Sequence, residues 1–104
     1  MTSGKYRIKV RDEAYDRMYD HFKFIARVSL NAAEQLYSAL AEALDSLEVS
    51  PQRCSIYIPK MPVIAELRYK LFYKRYRIVF EIIGNTVYVY DIQDCRQNTD
   101  KNIV

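Results

Sequence analysis

Tryptophan is absent from this 104-residue chain, glycine occurs only at Gly4 and Gly84, and histidine only at His21. Two glycines cannot supply a Gly-rich phosphate loop, whose backbone must approach the ligand at several positions lacking a Cβ. One histidine leaves a Ser-His-Asp triad or a histidine-based zinc site without a convincing member, and no metal or cofactor is expected. His21 itself, among Tyr19, Phe22 and Lys23, reads as a partly exposed structural residue. Cys54 and Cys95 stand far apart without a CxxC pair, so both read as free thiols rather than as a metal knuckle or a disulfide framework. No run of about 18 uncharged apolar residues exists to span a membrane, and Met1 to Tyr6 lacks the apolar stretch of a signal peptide. A cytoplasmic location is the expectation. Repeats and low-complexity segments are missing as well.

What is present is a globular composition, 50% hydrophobic and 28% charged, which can bury a core. At this length residues 1–104 are expected to form one domain. The net charge of +3 is mild, but it is unevenly spread. Residues 1–50 hold seven basic and eight acidic side chains, residues 51–104 nine and five. The excess peaks where Lys60, Arg68, Lys70, Lys74, Arg75 and Arg77 face one acid, Glu66.

Tyr6, Ile8 and Val10 alternate with basic residues, the period of a strand with one buried face. Asp12 is a candidate cap for a first helix, whose apolar stripe of Tyr15, Met18, Tyr19, Phe22, Ile25 and Ala26 ends near Arg27. Asn31 with Glu34 resembles a capping box opening a second helix, striped at Ala33, Leu36, Tyr37, Leu40, Leu44 and Leu47 and stopped by Ser50 and Pro51. Residues 49–63, with Pro51, Pro59 and Pro62, read as an irregular connection. Three strands follow. Leu67, Tyr69 and Leu71 are expected to face inward with Arg68 and Lys70 outward; Tyr76, Ile78, Phe80 and Ile82 inward with Arg77 outward; and Thr86 to Ile92 returns after a Gly84-Asn85 hairpin to a central position. The order strand, helix, helix and three strands implies an α+β fold with a helical hairpin on one face of an antiparallel sheet.

Antiparallel pairing under this reading puts Arg68, Lys70 and Arg77 on one open face. Three converging cations demand counter-charges, from carboxylates such as Glu66 and Glu81 or from a polyanion; a solvated face with surface ion pairs and a phosphate site are both open. If the polyanion is RNA, cleavage by 2′-hydroxyl attack needs a base, donors for the phosphorane and an acid. Arginine suits only charge stabilisation, since a guanidinium holds its proton too tightly; Lys70 or Glu66 is the candidate base. Lys60, Lys74 and Arg75 are further RNA-binding candidates, and Tyr57 or Tyr73 the best placed for base stacking.

The layout and the segment Leu67 to Glu81 resemble the RelE/ParE superfamily of type II toxins, most specifically in Tyr76-Arg77-Ile78-Val79-Phe80, the Gly84-Asn85 hairpin and the ending Asp94-Cys95-Arg96-Gln97-Asn98. The resemblance implies the toxin of a toxin-antitoxin module with a cognate antitoxin as partner. In the ribosome-dependent nucleases of that superfamily it implies a cluster around a scissile phosphate of bound mRNA, at positions matching Arg68, Lys70, Arg77 and Arg96. Such nucleases also carry a Tyr or His in the C-terminal segment, and Cys95 to Val104 has neither. ParE-like members instead poison DNA gyrase without a nuclease site. The trio Arg68, Lys70 and Arg77 makes mRNA cleavage the first expectation and gyrase poisoning the alternative; a non-toxic binding module retaining the fold is the third reading.

Overall fold

The computed structural model describes residues 5–96 and 102–104; Gln97 and Asn98 of the resembling C-terminal motif lie outside the described residues. The chain runs β1 (Arg7–Val10), α1 (Asp12–Ala26), α2 (Leu30–Ser46), β2 (Ser55–Tyr57), β3 (Leu67–Phe72), β4 (Tyr76–Ile83) and β5 (Thr86–Asp94). The strands form one sheet in the order β1-β5-β4-β3-β2. Both helices pack on one of its faces, giving the expected α+β, RelE/ParE-like layering.

The sheet differs from expectation in two ways. It is mixed rather than wholly antiparallel, because β1 runs parallel to β5 from Arg7↔Thr86 to Val10↔Val89. It also gains a fifth strand inside the stretch read as irregular, where Ser55–Tyr57 pairs antiparallel with β3. Three residues between prolines are too few for alternation to register. The helix starts differ too. Ser29, not Asn31, caps α2, its hydroxyl accepting from the Ala32 N–H at 3.1 Å, and no side chain caps α1, which begins at Asp12.

The main core joins α1 and α2 to the sheet through Leu36, Leu40 and Leu47 on one side and Tyr76, Ile78, Phe80, Val87, Val89 and Ile92 on the other. Burying each such side chain is worth about 1.5–3 kcal/mol. A smaller cluster, Tyr57, Leu67 and Val79 with Tyr69, Tyr90 and Val104 against it, covers the opposite face. The sheet therefore has apolar cover on both sides, and β5 lies between β1 and β4, consistent with its apolar character on both faces.

Two backbone irregularities set which side chains share a face. Tyr73, Lys74 and Arg75 join β3 to β4 in a three-residue turn closed by Phe72↔Tyr76. Tyr73 and Lys74 there adopt φ of 48° and 69°, left-handed conformations that ordinarily favour glycine or asparagine. In β5 a bulge places Val79 opposite Asp91 but Phe80 opposite Val89, leaving Tyr90 as the extra residue.

Candidate functional site

The predicted trio of cations is split by the β3–β4 register. Leu71 pairs with Arg77 and Lys70 with Ile78, and directly opposed residues in an antiparallel pair share a face. Arg68 and Lys70 thus lie on the helix side with Ile78 and Phe80, while Arg77 lies on the open side with Leu71 and Tyr69. The expectation of a shared face is corrected: Leu67, Tyr69 and Leu71 are the apolar set of the open face, and Phe72 is the β3 residue that enters the main core.

On the helix side, Arg68 is engaged twice. One guanidinium nitrogen donates to the Cys54 carbonyl at 2.6 Å, the other to the Glu66 carboxylate at 2.8 Å. Glu66 is largely exposed, so the pair is worth at most about 1 kcal/mol. Lys70 stands near the half-buried Cys54 thiol; burial pushes that thiol up, with Lys70 and then Arg68 pulling the other way. Both cysteines are free.

On the open side, Arg77 is built into a platform. Its guanidinium carbon sits 4.9 Å from the Tyr57 ring centroid and 5.7 Å from that of Tyr69, a cation–π arrangement worth about 0.5–2 kcal/mol according to desolvation. Its Nε donates to Gln93 Oε1 at 2.6 Å, and no carboxylate among the described residues pairs with it. Gln93 is fully buried and donates in turn to Asp91 at 2.9 Å and to the Tyr57 hydroxyl at 3.0 Å. Asp91, also fully buried, receives Arg17 Nε at 3.2 Å and the Ile103 N–H at 2.8 Å. Arg17 reaches it because β1 stops opposite Val89 and leaves the later part of the β5 edge unpaired. Residues 102–104 close the network: Asn102 accepts from Arg17 at 3.1 Å, and the Val104 main-chain oxygen accepts from Tyr57 at 2.8 Å. Sequence reading missed Arg17, Asp91 and Gln93; the available signal was two polar residues alternating within an otherwise apolar central strand.

The remaining predicted residues are dispersed. Arg96 is exposed and lies 3.5 Å from Asp94, opposite Tyr76 on the helix side. Lys60 is tied to the Asn102 carbonyl, Lys74 is exposed in the turn, and Arg75 lies over the Tyr76 ring at 5.8 Å. Tyr57 is buried beneath Arg77 rather than free to stack on a base, and the Tyr73 hydroxyl donates to Gln35 at 3.3 Å. His21, expected to be partly exposed, is buried; its Nε2–H donates to the Ile92 carbonyl at 2.7 Å and its ring packs edge-on against Tyr76. Burial pushes its imidazole below the usual 6.5, opposed by the Ile92 bond. Among the described residues no three of His, Cys, Asp and Glu gather as a metal site, and no helix is long and apolar enough to cross a membrane.

The sequence profile of the ParE toxin of type II toxin-antitoxin systems, parDE, matches residues 8–99. This chain belongs to the ParE toxin family. Among solved structures it is similar to a chain of the chromosomal ParDE toxin-antitoxin system from P. aeruginosa, with a TM-score of 0.68 at 14% identity, covering 88% of this chain and 98% of that one. No curated protein sequence matches it. Membership of the ParE family, within the RelE/ParE superfamily, makes the chain a type II toxin-antitoxin toxin with a cognate antitoxin as partner.

Proposed function

We propose that this ParE-family toxin inhibits growth by acting on DNA gyrase and not by cutting ribosome-bound mRNA. The observation that carries the reading is the register that puts Arg77 on the opposite sheet face from Arg68 and Lys70. A phosphorane with two negative charges needs its donors on one side of the phosphate, within about 3 Å of the oxygens where charge develops. Arg68 spends two of its N–H groups on Cys54 and Glu66, and the charges of Arg68 and Arg96 are partly neutralised by Glu66 and Asp94. The absence of Tyr and His from Cys95 to Val104 removes the expected acid. In this reading Arg77 is a binding group, fixed on Tyr57 and Tyr69 and presenting its terminal nitrogens to the target.

The test pairs two assays on the purified protein. Added to gyrase and relaxed plasmid, it should inhibit supercoiling, and Arg77→Ala should weaken the inhibition by about tenfold or more, as for a central arginine contact. Added to a translating extract, it should leave message intact. Cleaved message with unaffected gyrase, lost in Arg77→Ala, would overturn the reading in favour of the nuclease.

A further inference from the structure

Beyond α2 the chain turns sharply at Ser50, whose φ of 53° is left-handed, and Pro51–Arg53 forms a single 3-10 turn before β2. Between this turn, the end of α2 and the β2–β3 edge lies an open cavity of about 460 Å³, whose β3 cation, Lys70, is on the opposite sheet face from Arg77. Its charged lining is Arg53 and Lys70, without a carboxylate. Neither cation has an ion-pair partner among the described residues, and Glu66 is held by Arg68. Cys54 follows Arg53 and lies one residue beyond the Ser55↔Tyr69 pair, which sets it opposite Lys70.

Two unneutralised positive charges around one cavity repel each other, and an anion between them relieves that cost. The nearby C-terminus of α2 contributes about half a negative charge, which offsets the cations only in part. The Ser46 hydroxyl already donates to the Ala43 carbonyl at 2.6 Å, and Ser50 also lines the cavity. Arginine's planar fork, lysine's point charge and a serine hydroxyl match the several oxygens of a phosphate better than the two of a carboxylate. The cavity is far larger than one phosphate and lies within the roughly 300–1,000 Å³ of small-molecule sites; Leu47 and Val49 supply apolar wall for the remainder. We propose that this cavity binds a phosphate monoester on an organic body of nucleotide size, through Arg53 and Lys70, independently of the toxin's target.

Amide-resolved NMR titration of the intact protein with uridine 5′-monophosphate, uridine and inorganic phosphate at fixed ionic strength tests this. The monophosphate should shift Arg53 to Ser55 and Lys70, and bind at least about tenfold more tightly than either fragment, since a charge-assisted contact of this kind is worth about that factor. Lys70→Gln and, at an exposed position, Arg53→Gln should each weaken it about tenfold while the rest of the spectrum stays native. The occupied site should also slow alkylation of Cys54, with exposed Cys95 as internal control. No shifts at millimolar monophosphate, equal affinity for uridine or inorganic phosphate, undiminished binding by both variants, or shifts confined to Tyr57, Gln93 and Arg77 would each overturn the proposal.

Discussion

The two faces of the sheet are held by different physics. Under the helices, cohesion comes from side chains such as Phe80, Ile78 and Leu36, whose contribution scales with buried area and depends little on direction. On the open face a small apolar cluster surrounds a chain of directional bonds, Arg17–Asp91–Gln93–Arg77, in which each buried polar group depends on the next. The first face can absorb modest repacking, whereas the second fails once a partner is removed, because a buried donor or acceptor left alone costs its full desolvation. Arg77, the candidate binding group, stands on the less forgiving side.

The largest expected effect comes from the apolar face. Phe80→Ala, at a fully buried position, should lower unfolding free energy in urea by about 3–5 kcal/mol. Next, Asp91→Asn should cost about 2–3 kcal/mol by removing the charge that Arg17 faces. A cycle with Gln93→Met should show coupling of about 1 kcal/mol, and simple additivity there would erase the distinction between the faces. His21 gives a smaller, pH-dependent effect. Its imidazole is depressed in the fold by burial, so the unfolded chain takes up a proton first as pH falls. The stability held above pH 6.5 should decline as pH drops below that value toward the folded pKa, and His21→Gln should flatten this part of the profile of melting temperature against pH. The smallest change is expected at the rim, where Glu66→Gln should alter stability by no more than about 0.5 kcal/mol, given that carboxylate's exposure.

Much of the architecture was legible in the residues. Alternation located four of the five strands, Gly84-Asn85 marked the last hairpin, and Tyr76, Ile78, Phe80 and Ile82 were placed on the helix side, as found. The face of β3 was not legible, for a definite reason. Leu67, Tyr69 and Leu71 look like an inward set, but a sheet covered on both sides rewards apolar residues on either one. What decides is the turn, and Tyr73 and Lys74 adopt left-handed φ without the glycine or asparagine that would have announced it. The Arg17–Asp91 contact, 74 positions apart, left no local pattern at all.

That turn has an arithmetic consequence. With an odd number of residues between Phe72 and Tyr76, even-numbered positions of β3 keep company with even-numbered positions of β4. Were β3 and β4 to slip by a single residue, the partners would exchange, sending Leu67, Tyr69 and Leu71 beneath the helices and bringing Arg68 and Lys70 alongside Arg77. A one-residue slip in register therefore separates a hairpin with divided cations from one that concentrates them, and the closing pair Phe72↔Tyr76 holds the divided arrangement.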